Sequence, residues 1–314
     1  MLRIRTAAKT TAMVIALIAA LLAASTVTNA ILTSAERSPQ LYGERLDIGT
    51  GSLNVYEHGA TGPTIVLLGG YGTASPALDY APLIRELDGY RVVVIEGFGY
   101  GYSDANVPAR TVENITAELH TALRQLNVDE PYVLAGHSLA GLYMLYYANH
   151  YRDELAAIVG IDASVPGQVN GLAGGVPLLE QFADATGLLR IANAILPTFS
   201  EPEGDAFTAT EKREIVSMTN WNSGNPALVD EARRAARTFC VVATMNFPRD
   251  LPVLSFIKRT GSQPYWKELH LAQLANLDQG ELIELDGGHS LHWTHSKTMA
   301  EDIKRFLDGN VVVR

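Results

Sequence analysis

The sequence has 314 residues but a single cysteine, Cys240, and this scarcity limits its sulfur chemistry. One thiol forms no intramolecular disulfide and cannot build a zinc site alone. Cys240 lies in the apolar stretch Thr238–Met245, so we expect it to be a small buried residue. The cysteine count does not distinguish an oxidising from a reducing compartment, because lone cysteines occur in both.

Basic residues are also few, with 24 Lys and Arg against 34 Asp and Glu, a formal net charge of -10. Three of the basic residues, Arg3, Arg5 and Lys9, precede the first acid, Glu36, so the rest of the chain is more acidic still. Such a surface repels phosphates, and we therefore expect no nucleic-acid partner.

Charged residues make up only 18% of the chain and hydrophobic residues 47%. This composition supports a sizeable core and argues against extensive disorder. No internal repeat or low-complexity tract interrupts the sequence.

Residues 1–10 form a basic tip, and an uncharged, mostly apolar segment follows over residues 11–32. The segment is long enough for a membrane anchor, while Thr28-Asn29-Ala30 resembles a signal-peptide cleavage site. We favour an uncleaved anchor and keep secretion after cleavage as the alternative. In both cases the basic tip stays in the cytoplasm and the remaining chain lies outside it. Residues 33–40 are predicted to be a short polar linker.

From residue 41 onward, short apolar runs alternate with segments of helical spacing, which predicts one domain over residues 41–314. A hairpin is predicted around Gly49-Thr50-Gly51, and the further strands and helices are predicted to alternate. This alternation predicts a mostly parallel, doubly wound sheet, whose functional groups collect at the carboxyl ends of its strands. The predicted strands are Thr64–Leu68, Arg91–Ile95, Tyr132–Ala135, Leu155–Ile161, Leu251–Ile257 and Glu281–Leu285.

The alternation stops between about residues 165 and 250, where the sequence predicts an inserted helical cap. Pro177–Leu196 and Glu211–Trp221 have helical character. Asn225-Pro226 supplies an N-cap and a first-turn proline, which predict a helix reaching about Met245.

The segment Tyr132–Gly141 predicts a strand, a sharp turn and a helix, with Ser138 at the turn. Small neighbours are needed at such a strained turn, and Gly136, Ala140 and Gly141 provide them. The usual pattern has glycine two residues after the serine, where this chain has Ala140. The pattern predicts an activated nucleophile, although a helix-capping serine has the same local sequence.

From Leu53 to Leu307 the chain resembles the α/β-hydrolase superfamily, in particular bacterial membrane-anchored or secreted members with a helical cap. Four motifs carry the resemblance: the nucleophile elbow, the oxyanion loop, a glycine-rich loop that commonly begins with Asp, and the histidine loop. In this sequence they are Gly136–Gly141, Leu67–Gly72, Glu96–Asp104 and Asp286–His289.

The resemblance implies that His289 is the general base. The orienting acid often follows the strand after the cap, but Lys258–Gln263 contains no carboxylate. Asp162, directly after the strand Leu155–Ile161, is therefore the predicted acid, and the order Ser, Asp, His fits the superfamily. Glu268 and Asp278 stay open as alternatives. Asp286 is better explained as a turn former.

The resemblance implies that the Tyr71 and Leu139 amides form the oxyanion hole. Gly70 is predicted to line the substrate site, and His137, which flanks the nucleophile, is predicted to line the pocket or to pack. A metal cluster of His289, His292 and His295 is the rival interpretation. It lacks an obvious further set of ligands, so neither metal nor cofactor is expected.

These motifs together predict a serine hydrolase that cleaves small carboxylic esters through an acyl-enzyme. Haloalkane dehalogenases and epoxide hydrolases of this fold have a carboxylate at the position of Ser138, which argues against those activities. An aminopeptidase or amidase of the same fold, or a surface binding protein that has lost catalysis, are the alternatives.

Overall fold

A computed structural model describes residues 2–38, 40–168, 176–260 and 265–310 of the chain. Its centre is an eight-stranded sheet with the order β1-β2-β4-β3-β5-β6-β7-β8. The β1/β2 and β2/β4 pairs are antiparallel, and the other neighbouring strands run parallel. The strands are β1 Glu44–Asp47, β2 Ser52–His58, β3 Thr64–Leu68, β4 Arg91–Glu96, β5 Tyr132–His137, β6 Leu155–Ile161, β7 Val253–Lys258 and β8 Gly280–Leu285.

Helices cover both faces of the sheet, and the central strands are buried on both sides, as expected for parallel strands joined by crossovers. The helices of the described residues are α1 Leu2–Glu36, α2 Pro76–Asp79, α3 Ala81–Glu86, α4 Val112–Gln125, α5 Ala140–His150, α6 Val176–Thr186, α7 Leu188–Ile195, α8 Ala209–Asn222, α9 Pro226–Val242, α10 Trp266–Leu274, α11 Leu291–Thr294 and α12 Ser296–Asn310.

One core cluster includes residues of α4 and α5, and a second includes residues of α3 and α12. The architecture is the predicted α/β-hydrolase fold, and the helices α6 to α9 form an insertion between β6 and β7.

The inserted helices, which we call the cap, differ from the prediction in two places. The single helix expected over Pro177–Leu196 is broken at Gly187, which has φ 71°. A side chain there would meet the Asn29 side chain of α1 at 2.9 Å, so the break is also a point of close approach. Helix α9 is capped by Asn225 as predicted but ends at Val242.

Cys240 is exposed on α9, so the prediction of a buried cysteine is wrong. Helix α9 is amphipathic, and Thr238 and Val242 lie on its buried face. Cys240 falls between these positions, and at 100° per residue it points to the solvent.

Helix α1 is long and apolar enough to cross a membrane over Lys9–Glu36, by length and composition alone. It continues four residues into the segment predicted as a linker. The Glu36 carboxylate pairs with Arg190 of α7, and the Arg37 guanidinium stacks 4.6 Å from the Trp221 ring. These contacts fix the end of α1 to the cap.

Candidate active site

Ser138 occupies the turn between β5 and α5, with φ 54°. A Cβ on Gly136 would lie 2.8 Å from Ala140 Cβ, and one on Gly141 would lie 2.4 Å from the Ser164 carbonyl oxygen. Close packing therefore requires glycine at both positions. The methyl group of Ala140, where the usual pattern has glycine, is accommodated in the buried interior. The turn is held by the Ser164 amide, which donates to the Ser138 carbonyl at 2.7 Å.

Asp162 follows β6 directly and also has a positive φ, 41°. Its amide donates to the carbonyl of Phe256 on the neighbouring strand at 2.7 Å, which fixes the strained backbone. Positive φ is uncommon outside glycine and persists only where the surroundings determine it. The two non-glycine residues are thus held in conformations that local preference alone would not select.

His289 lies in the loop after β8 and connects the other two residues. Its Nε2 is 2.8 Å from Ser138 Oγ, and its Nδ1 is 2.6 Å from Asp162 Oδ2. Asp162 accepts at Nδ1–H, which leaves Nε2 as the acceptor for the serine hydroxyl. The structure therefore brings together all three residues that the sequence predicted as the catalytic set.

The alternative acids lie elsewhere. Glu268 is exposed on α10, and Asp278 pairs with Arg249 at 2.8 Å on the surface. Asp286 pairs with Arg259 and is also exposed. Among the described carboxylates, the one hydrogen-bonded to the His289 ring is Asp162.

Trp266 is a site residue that the sequence did not indicate. Its Nε1–H donates to Asp162 Oδ1 at 2.8 Å, and the Lys258 amide donates to the same oxygen at 3.1 Å. Burial by itself raises the pKa of Asp162, but the His289 interaction and these donors outweigh it and hold the pKa below its usual value. The end of β7 and the start of α10 thus serve the acid through an amide and an indole, although the sequence between them carries no carboxylate.

Gly70 lies against the nucleophile. A Cβ at this position would be 2.9 Å from both Ser138 Cβ and His137 Nδ1, so only glycine allows the loop after β3 to approach so closely. Tyr71 follows Gly70, and Leu139 follows Ser138 at the start of α5. Their roles as oxyanion donors, and that of Gly70 in the substrate site, stay predictions.

His137 is buried and belongs to a second polar network behind the histidine loop. Its Nε2–H donates to the His289 carbonyl at 3.1 Å, because a carbonyl can only accept. Burial first, and the neighbouring His292 and His289 second, lower the pKa of His137 to about 3. His137 is therefore a neutral, buried imidazole that binds the histidine loop, and its contact with substrate stays a prediction.

The same network continues through His292, which is fully buried. Its Nε2–H donates to Asp79 Oδ2 at 2.7 Å, and Trp293 Nε1–H donates to Asp79 Oδ1 at 2.8 Å. Burial raises the pKa of Asp79, yet the contacts with His292 and Trp293 outweigh it and lower the value. The motifs did not indicate Asp79, because it lies on the short helix α2, remote in sequence from the histidines.

The three histidines of the alternative metal-site interpretation have different partners in the structure. His289 faces Ser138 and Asp162, His292 faces Asp79, and His295 donates to the Asp286 carbonyl. One ligand atom each from Asp79, His137 and His292 lie within 4.8 Å of one another. Both Asp79 oxygens already accept hydrogen bonds from His292 and Trp293, which argues against a metal ion at this position. The absence of a metal stays a prediction.

A cavity of about 60 Å³ lies beside the loop that carries Gly70. Glu231 of α9 reaches it from the cap and accepts hydrogen bonds from Tyr100 at 2.8 Å and Tyr143 at 2.6 Å. Burial raises the pKa of Glu231, and the two hydroxyls and nearby Arg110 counteract it in part. Most of the wall is apolar, and Ser138, Asp162 and His289 are not among its lining residues.

A family model described as alpha/beta hydrolase fold matches residues 63–198. An esterase from Thermogutta terrifontis is 20% identical with TM-score 0.64, and covers 86% of this chain and 100% of its own. The epoxide hydrolase VrEH1 from Vigna radiata is 15% identical with TM-score 0.64, covering 86% and 99%. The uncharacterized protein YbdG of Bacillus subtilis is 25% identical over 266 residues, 80% of this chain and 81% of YbdG. These matches confirm the α/β-hydrolase fold, and at such identities the solved structures establish the fold alone.

Proposed function

We propose that the protein is a serine hydrolase that cleaves small carboxylic esters. The observation that carries the proposal is the pair of hydrogen bonds from Ser138 Oγ to His289 Nε2, 2.8 Å, and from His289 Nδ1 to Asp162 Oδ2, 2.6 Å. A nucleophile, a base and an orienting acid in contact are what acyl transfer requires.

In the first half of the reaction Ser138 Oγ attacks the ester carbonyl carbon while its proton moves to His289 Nε2. The oxyanion that forms is stabilised by the Leu139 and Tyr71 amides, and a donor of this kind typically contributes about 3–4 kcal/mol. The bond from carbon to the alcohol oxygen then breaks, and His289 returns the proton to that oxygen. An acyl-enzyme on Ser138 and a free alcohol result.

In the second half water replaces the alcohol. His289 takes one proton from water as the oxygen attacks the acyl carbon, and the bond to Ser138 Oγ breaks with return of that proton to Oγ. Asp162 stabilises the imidazolium in both halves and stays ionised, which its lowered pKa supports.

The comparisons include both an esterase and an epoxide hydrolase. The residue at the elbow favours the esterase chemistry, because epoxide hydrolases of this fold use a carboxylate nucleophile where this chain has Ser138. We propose esters as the substrates in preference to amides, and this choice is separate from the serine mechanism.

The protein is further proposed to be anchored in the cell membrane by α1, with the remaining chain on the extracytoplasmic side. The basic residues Arg3, Arg5 and Lys9 precede the apolar segment, which favours a cytoplasmic N-terminus. Asn29 is buried against the cap, so cleavage near Ala30 would remove a contact of the folded domain. This supports the uncleaved form.

Hydrolysis of p-nitrophenyl esters and aminoacyl anilides by the full chain in detergent tests the proposal. We expect turnover of short esters that exceeds anilide turnover and is lost in Ser138→Ala. Ester turnover that persists in Ser138→Ala would overturn the serine mechanism. Faster anilide turnover would overturn the ester assignment and leave the mechanism standing.

A further inference from the structure

Helices α6 and α7 of the cap, together with the residues that directly follow α7, present large apolar side chains to the exterior. These residues are 39–72% exposed, although residues of this type are normally buried. Large exposed apolar side chains that are gathered on one part of a protein often mark an interaction site. The patch, which we call the cap patch, consists of Leu179, Phe182, Leu188, Ile191, Ile195, Leu196 and Phe199.

The cap patch adjoins α1 through specific contacts. Asn29 Nδ2 donates to the Asp184 carbonyl at 2.8 Å, and Ser25 Oγ donates to the Thr186 carbonyl at 2.6 Å. Arg190 of α7 donates to Asn29 Oδ1 and to both oxygens of the Glu36 carboxylate. Ser25, Asn29 and Glu36 recur at intervals of three to four residues or their multiples, so they lie on one face of α1.

The length of α1 fixes the depth at which these contacts occur. A bilayer core is spanned by about 20 helical residues, and counting about 20 from Lys9 reaches Asn29. Asn29 therefore lies at the outer boundary of the hydrocarbon region, and Ser25, four residues earlier, lies about 6 Å deeper. Because Asp184 and Thr186 of α6 and Arg190 of α7 contact these two residues, the junction of α6 and α7 lies at this boundary.

The charge of α7 supports the same position. Arg190 is the one charged residue in α7, and it is paired with Glu36 at 2.6 Å. The exposed part of α7 therefore carries apolar side chains without a free charge. An apolar helix face beside a membrane-spanning helix fits the boundary between headgroups and acyl chains.

We infer that the cap patch is inserted into the outer leaflet of the membrane that α1 spans. Lipid acyl chains therefore cover the cap patch, and the cap is in direct contact with the bilayer surface. This inference rests on the proposed membrane anchoring but not on the proposed chemistry, so it holds for Ser138→Ala as well.

Environment-sensitive labels in single-cysteine variants of the full chain test the inference. Cys240→Ser removes the native thiol, and Ile195→Cys or Phe199→Cys then carries a nitrobenzoxadiazole label in phosphatidylcholine vesicles. Leu271→Cys is the matched control, because Leu271 is a 46% exposed apolar residue on α10, outside the patch. We expect blue-shifted emission and quenching by nitroxide-labelled lipid at residues 195 and 199 and neither at residue 271.

Absence of lipid quenching at both patch positions, with a label at Ile18→Cys on α1 quenched, would overturn the inference while leaving the anchor in place. Failure of the Ile18→Cys label to be quenched would overturn the anchoring on which it rests. Cross-linking of two Ile195→Cys copies by a bismaleimide without lipid quenching would show that a second copy covers the patch, and would also contradict the inference.

Discussion

At the residue scale, Ser138 and Asp162 both have backbone conformations that side chains with a Cβ disfavour, with φ 54° and 41°. Each lies directly after a parallel strand, and each is fixed by a hydrogen bond between neighbouring strand ends. The sheet therefore supports the strained geometry, and this allows both side chains to reach His289 from different strands.

Asp162→Asn is expected to reduce turnover of a p-nitrophenyl ester by about three to four orders of magnitude. The neutral amide of asparagine lacks the negative charge that stabilises the His289 imidazolium. It also does not hold the His289 ring in the required tautomer as the carboxylate does. Circular dichroism checks that the fold is retained. Glu268→Gln makes the same chemical change at an exposed position and should leave turnover unchanged; a comparable loss there would contradict the assignment of the acid.

Trp266→Phe is expected to reduce turnover by about tenfold, since it removes one of the three hydrogen bonds that the described residues make to the Asp162 carboxylate but keeps an aromatic ring at this position. Stopped-flow measurement of the acylation step checks this. Tyr265, next to it and 76% exposed, offers the control Tyr265→Phe, which should be silent. An unchanged acylation rate in Trp266→Phe would show that the indole does not position Asp162.

At the element scale, much of the sheet could be predicted because each buried strand is a short apolar run, and most of these runs have a glycine or proline beside them. The elbow, the histidine loop and Asp162 could also be predicted, because each comes directly after such a run. Asp79 and Trp266 could not, because they reach the site from helices and no periodicity indicates which helix ends meet. The break at Gly187 was missed for the same reason: it depends on the approach of α1.

Asp79→Asn is expected to lower the free energy of unfolding at pH 7 by about 1–3 kcal/mol, because an amide cannot accept from both His292 and Trp293. The folded-state pKa of Asp79 is lowered, so its ionised form stabilises the fold above about pH 4, and this contribution is lost as the pH falls. Urea unfolding across pH should show the difference from wild type shrinking towards low pH.

Asp278→Asn is the control for that series, since Asp278 forms an exposed pair with Arg249. Exposed pairs contribute about 0–1 kcal/mol, so this variant should remain close to wild type. A difference between Asp79→Asn and wild type that stays constant down to acidic pH would contradict the role assigned to the Asp79 carboxylate.

At the scale of the whole molecule, α1 packs directly against the cap and is not separated from it by a free linker. Ser25, Asn29 and Glu36 bind cap residues, and Arg37 stacks on Trp221. Helix α1 is therefore fixed to the cap by side-chain contacts of the segment from Ser25 to Arg37. The sequence alone gave no reason to expect this, because residues 33–40 have the polar composition of a linker.

Intact-mass measurement of the protein purified from membranes of the expressing cell tests the uncleaved anchor. We expect a mass that includes all of α1, because Asn29 is part of the folded contact with the cap. A mature form that begins near Ile31 would instead indicate a cleaved signal peptide. Release of such a form into the medium would also contradict the proposed anchor.

Covalent labelling tests most directly whether Ser138 is an activated nucleophile. The full chain is incubated with a fluorophosphonate and the adduct is located by peptide mass spectrometry. We expect one adduct, on Ser138, that is absent in Ser138→Ala and forms orders of magnitude more slowly in His289→Ala. No adduct on the folded wild-type protein, or an adduct on another residue that persists in Ser138→Ala, would contradict this role of Ser138.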